Sequence, residues 1–222
     1  MHSPSPFLFW SFGLYALLVA VQAARLAGRP LLLWVVITGG LASSGLLVHF
    51  ESFPPPVMRL ILPALLVTGL LCGSSLGRNW VDRFSLAGLI GFQAFRLPLE
   101  LLMHVAAREG VMPPQMTFTG RNFDILTGLL ALPLAWLVAR GRVGSGAVWA
   151  WNVLGLALLV NVVGVAVLSF PGPYRVFLNE PANLWIAYFP FVWLPTVLVP
   201  LALAGHLLVA RKLLTGARPA PV

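Results

Sequence analysis

Four polar side chains recur in one otherwise apolar stretch: Gln93, Arg96, Glu100 and His104. At about 100° per residue they fall within about 80° of one another, so a helix here presents a single polar stripe. An Arg or an acid at mid-bilayer costs about 2.5–3.5 kcal/mol, so such residues are expected to pair with one another or to serve a site. Arg96 and Glu100 are spaced i, i+4 and are expected to form an ion pair, either as a lock within a bundle or as part of a cavity. Pro98 lies between them, removes one backbone donor, and is expected to kink the helix and open a gap beside the stripe. An arginine in such a gap can hold an anionic or zwitterionic group. The carboxylates can hold a cation or a proton, or act as general base with His104 assisting.

The stretch that follows adds Arg121 and Asp124. Thr119 or Asn122 can cap a helix beginning there, and Asp124 would complement its positive end. A cation at that end works against the dipole, so Arg121 is expected to pair with an acid such as Glu100 or Asp124, or to bind an anion. Asn161 falls in the middle of a later apolar segment, as interhelical glue or as a cavity ligand. The candidate binding set is therefore Gln93, Arg96, Glu100, His104, Arg121, Asp124 and Asn161. No catalytic residue is assigned.

The elements that carry these residues follow from composition. Of 222 residues, 59% are hydrophobic and 9% charged, where soluble domains carry about 25% charged residues. So few charges cannot cover a water-exposed surface, and lipid is the expected solvent. Seven segments approach the roughly 20 apolar residues a spanning helix needs: 7–28, 31–50, 57–76, 84–107, 123–139, 147–170 and 185–209. Turn residues separate them, including Pro54-Pro55-Pro56, Gly77-Arg78-Asn79, Pro113-Pro114 and Pro171-Gly172-Pro173. The first segment lacks the basic flank of a signal peptide before it and is expected to be retained. The fold class is thus all-α, one polytopic seven-helix bundle over residues 1–222.

Basic residues set the orientation. Arg25, Arg29, Arg78, Arg83, Arg140, Arg142, Arg211, Lys212 and Arg218 fall on alternate connections. Arg59, Arg108, Arg121 and Arg175, on the other side, are diluted by Glu51, Glu109 and Glu180. The bias places the N-terminus outside and the C-terminus in the cytoplasm. The net charge of +8 is spread singly and in pairs, which is a topology signal and not a nucleic-acid footprint. The expected partners are membrane lipid and a small polar or anionic ligand, with no nucleic acid; oligomeric state is left open.

Two motifs resemble a signature of uncharacterised bacterial multi-pass membrane proteins. They are Phe95-Arg96-Leu97-Pro98-Leu99-Glu100, and the run from Met116-Thr117-Phe118 through Gly120-Arg121-Asn122-Phe123-Asp124 to Ile125. The resemblance implies a bacterial inner-membrane location and one unit built from Arg96, Glu100, Arg121 and Asp124. It implies no activity.

Named chemistries fare less well. His49, His104, Glu51 and Glu109 lack metal-ligand spacing, and Met112 and Met116 read as packing, so neither metal nor cofactor is expected. His206 is expected at the cytoplasmic interface beside Arg211, and the lone lysine, Lys212, lies beyond the apolar core where a retinal Schiff base would need it. The leading expectation is ligand binding or transport through an externally open polar cavity. The alternatives are an intramembrane enzyme acting on a lipid or lipid-linked substrate, and a structural or assembly subunit of a membrane complex.

Overall fold

A computed structural model describes residues 2–52 and 54–216 of the chain. Among these residues every regular element is helical: α1 (Pro6–Ala27), α2 (Pro30–Ser43), α3 (Met58–Gly73), α4 (Ser75–Arg83), α5 (Leu86–Phe92), α6 (Arg96–Arg108), α7 (Ile125–Ala139), α8 (Ser145–Leu168) and α9 (Val199–Thr215). Arg218, one of the residues used for orientation, lies outside the described residues.

Local chemistry sets the ends. Ser5 accepts the Leu8 amide at 3.1 Å and Pro6 occupies the first turn of α1. Ser5 also donates its backbone N–H and hydroxyl to Glu109, at 2.8 and 2.7 Å, tying the start of α1 to the end of α6. Ser85 caps α5 through the Gly88 amide at 3.0 Å.

Among the described residues four stretches are long and apolar enough to cross a membrane: Pro6–Arg25, Leu86–Arg108, Ser145–Leu168 and Leu194–Thr215. The α3–α4 pair would be a fifth if its 69° bend is part of one span. Helices α2 and α7 are apolar but have 14 and 15 residues, about 21–23 Å at 1.5 Å per residue against a hydrocarbon thickness of about 30 Å.

Three expected segments have different boundaries. The second stops being helical at Ser43 and continues as turns through Phe50. The third ends at Gly73, where Ser74 closes it through its amide to Leu70 O at 3.0 Å and then caps α4 through the Leu76 amide at 3.2 Å. Helix α4 replaces the expected Gly77-Arg78-Asn79 turn. It buries Gly77 and Val81 and exposes Arg78, Asn79, Asp82 and Arg83. Lys212 donates to Val81 O at 2.6 Å, and Arg211 donates to Cys72 O and, at 2.8 Å, to Ser74 O. Two side chains of α9 thereby satisfy carbonyls, Arg211 at the α3–α4 corner and Lys212 in the last turn of α4.

The last segment departs furthest. Residues 185–193 are not a continuous helix; a short 3₁₀ turn at Trp185–Ala187 leads through Pro190 to a π turn at Leu194–Leu198, and α9 runs on to Thr215. Pro190 has no amide to give a helix at this point. Trp185 and Phe191 bury their rings with Phe12 of α1, at centroid separations of 4.9–5.9 Å. An apolar run buried on all sides has the hydropathy of a span whatever its backbone does.

The fourth segment is broken at Gln93–Phe95 by a 3₁₀ turn between α5 and α6. The break sits one turn before Pro98, because the proline ring crowds the carbonyl four residues earlier, that of Ala94.

The core divides in two. One cluster joins α1, α6, the 185–198 stretch and the start of α9; the other joins Leu89, Ile90, Ala131, Trp151 and Leu208. Along α5–α6, α8 and α9 alike, a polar residue falls between the two clusters: Gln93 or Arg96, Asn152, and His206.

Candidate functional site

Arg96 opens α6 and Asp124 immediately precedes α7, so two helix starts face each other across the bundle interior. Arg96 donates Nε–H to Asp124 Oδ2 at 2.6 Å and Nη2–H to Oδ1, a two-pronged clamp between groups 1% and 5% exposed. Its remaining nitrogen, Nη1, lies 2.7 Å from His206 Nε2. Guanidinium cannot accept, so His206 Nε2 must be the acceptor and carry no proton. The ring proton then sits on Nδ1, which donates to Asn152 Oδ1 at 2.9 Å.

Asn122 links this chain to Glu100. Its amide nitrogen lies 2.9 and 2.8 Å from the two Glu100 oxygens and 3.1 Å from Met116 O. Its amide oxygen accepts the backbone N–H of Asp124 at 3.0 Å. The result is a buried run from Asn152 through His206, Arg96, Asp124 and Asn122 to Glu100.

Close helix approach makes the run possible. A Cβ at Gly128 would lie 2.6 Å from the Leu97 amide nitrogen, so only glycine lets α7 come this near α6. A Cβ at Gly155 of α8 would overlap the His206 ring.

The candidate residues separate accordingly. Arg96, Glu100 and Asp124 come together, but the expected Arg96–Glu100 ion pair does not form. Arg96 reaches across to Asp124 and Glu100 is held by Asn122, because the break at Gln93–Phe95 starts α6 at Arg96 and aims that side chain toward α7. Gln93 is fully buried nearby and donates to Ala202 O at 3.2 Å. His104 instead stacks on Phe118, ring centroids 4.8 Å apart. Arg121 pairs with neither acid; it is exposed and lies over the Phe177 ring at 5.2 Å. Asn161 is exposed and donates to Arg121 O at 2.7 Å, tying α8 to the loop before α7.

Three participants are new. Asn122 is more than a cap. Asn152 is one of two asparagines in an otherwise largely apolar helix, with Asn161. His206, expected at an interface, is wholly buried, because α9 extends to Thr215 and leaves it well inside the helix. A histidine next to a glycine in an apolar run was the available signal for it.

A cavity of about 130 Å³ adjoins the run. Arg96, Glu100 and Asp124 form part of its wall; most of the rest is aliphatic, from α3 (Ile61, Leu62), α8 (Val163, Val167) and the start of α9 (Leu198, Val199). Both α3 and α8 pack on α9 and flank the cavity. Leu62 and Val167, on its rim, are 62% and 43% exposed. Asn183 also lines it, fully buried, with its Nδ2 donating to Ala166 O at 2.9 Å and its Oδ1 without a partner. The lining is thus mainly apolar, unlike the polar cavity expected from the stripe.

A family model described as a domain of unknown function (DUF8737) matches residues 57–214, and the chain belongs to that family. The matched stretch contains every member of the buried polar run, whereas α1 and α2 precede it. Comparisons with curated proteins and with solved structures give no match.

Proposed function

We propose that this member of the family is an integral membrane protein that binds an amphipathic, lipid-like molecule taken in from the side between α3 and α8. The observation carrying the reading is the cavity itself: aliphatic walls, an exposed aliphatic rim, and Arg96, Glu100 and Asp124 on one wall. At about 130 Å³ it is close to the roughly 150 Å³ of an apolar cavity that stays dry and takes up benzene. It therefore suits a short stretch of hydrocarbon, with the rest of a tail lying along Leu62 and Val167 in lipid.

Binding is favoured over transport because Asn161, which a path continuing across the bundle would pass, does not line the cavity. It is favoured over catalysis because Asp124 is occupied by Arg96 and, among the described residues, no carboxyl group is hydrogen-bonded to a histidine. An assembly role would place the stripe on the outer surface, but Gln93, Arg96 and Glu100 are buried within the single chain. The reading keeps the seven crossings, with α2 and the 44–50 turns completing one and α7 making another by local thinning of the bilayer. It also keeps the outside N-terminus and the bacterial inner membrane, on the distribution of basic residues and the motif resemblance.

Native mass spectrometry of protein released from membranes is the test. The wild-type chain should retain an amphiphile, and Val163→Trp, which fills the cavity from α8, should lose it. Equal retention by both, or none by the wild type even when dodecanol is supplied, would sink the proposal.

A further inference from the structure

The polar groups on the cavity wall are unequal in what they have left to offer. Arg96 is the only cation in the buried run, and Asp124 occupies it with two bonds while His206 takes a third. Its charge is therefore cancelled in place, and an incoming anion would have to displace Asp124. Glu100, 2% exposed, has one neutral donor, the Asn122 nitrogen, for both of its oxygens. That nitrogen has two hydrogens to share among three acceptors, the third being Met116 O. The two oxygens share that one donor, so Glu100 keeps acceptor capacity and, unlike Asp124, has no cation bonded to it.

Asn183 points the same way independently. Its nitrogen is committed to Ala166 O, which fixes the amide orientation, and the atom left over on this fully buried side chain is an acceptor. What the cavity wall leaves unmet is thus acceptor capacity, at Glu100 and at Asn183 Oδ1, with no cation bonded to the Glu100 carboxyl. A buried acceptor without a donor is costly, more so when charged, so an occupant that brings donors relieves a standing cost.

We infer that the occupant is a cationic amphiphile, a long-chain primary amine in chemical class, whose ammonium group is received by Glu100 and whose chain fills the aliphatic part of the cavity. The inference rests on the binding reading above and specifies its ligand. It reverses the expectation of an anionic ligand, because the arginine that would have held an anion is already occupied.

The test compares three probes with the same tail, dodecylamine, dodecanol and dodecanoate, on the whole chain in amphipol near neutral pH, by native mass spectrometry and competition. The wild-type protein should bind dodecylamine at least tenfold more tightly than dodecanol, and dodecanoate least. Glu100→Gln should abolish the amine preference, read as the ratio of dodecylamine to dodecanol affinity within that one variant. Because the three-probe comparison needs no variant, misfolding of Glu100→Gln cannot obscure the outcome. If dodecanol binds, is lost in Val163→Trp, and is matched or exceeded by dodecanoate, the cationic assignment is overturned and the cavity reading stands. If no probe binds, both fall.

Discussion

Arg96 Nη1 lies 2.7 Å from His206 Nε2, and since arginine can only donate, the histidine is held neutral with its proton on Nδ1. Nitrogen-15 NMR of selectively labelled protein should therefore show His206 as a neutral ring with Nδ1 protonated and Nε2 bare. A ring protonated on both nitrogens under conditions where the chain is folded would contradict the arrangement.

Asp124→Asn or Arg96→Gln should each destabilise the fold by about 3–5 kcal/mol, since either leaves one charge buried without its partner. Replacing both together, as Arg96→Leu with Asp124→Leu, should recover most of that loss. Reversible unfolding in mixed micelles measures the cycle. Single losses below 1 kcal/mol would mean the clamp is not made in the membrane.

Gly155→Ala should lower thermal stability through overpacking against His206, by about 1–3 kcal/mol. Gly164→Ala, on the same helix with open space around it, should be neutral or stabilising by about 0.5–1 kcal/mol. The opposite signs of two identical substitutions make the comparison independent of general helix effects.

Topology reporters should place the C-terminus and the Arg140–Gly146 connection in the cytoplasm. Reporters in the 109–120 connection should lie outside. A C-terminal fusion active only outside would remove the seven-crossing arrangement and its orientation together.

Arg175 donates to Glu180 Oε1 at 2.9 Å, and this bond holds the Glu180 carboxyl below its usual range. A carboxyl lowered in the folded state contributes above its unfolded value and loses that contribution as pH falls through the folded one. The Ala182 amide, bonded to Glu180 Oε2 at 2.9 Å, should thus keep its protection from hydrogen exchange until pH drops below the ordinary glutamate value. Loss of protection near neutral pH would mean the clasp does not persist in solution.

The polar stripe was legible because periodicity places residues on a face whatever they touch. Gln93, Arg96 and Glu100 are all buried, as a stripe excluded from lipid requires. The partner choice was not legible. Spacing within one helix favours Arg96 with Glu100, whereas Asp124 wins through an approach of α7 that depends on Gly128, a tertiary contact that a helical repeat does not encode. His206 was misplaced for a related reason. Its depth depends on where α9 ends, and Arg211 and Lys212 read as residues beyond the span until the α3–α4 corner and the last turn of α4 supply the carbonyls they satisfy. The cavity could not be read at all, since it is the space left between α3 and α8 and belongs to no single segment.

The π turn at Leu194–Leu198 carries a consequence for how this chain can change in length. A π turn holds one residue more than the α-helical turn it replaces. Removing a residue there would let the turn wind as regular α-helix over nearly the same length, so what lies beyond keeps its orientation to within a fraction of a turn. His206 would still face Arg96, and Arg211 and Lys212 would still reach the carbonyls of Cys72, Ser74 and Val81. A deletion just after it, within 199–205, meets no spare residue and would turn those side chains by about 100° and shift them by about 1.5 Å. The 194–198 stretch is therefore a place where the register can absorb a lost residue. Single-residue deletions should cost less at 194–198 than at 199–205, although both precede His206.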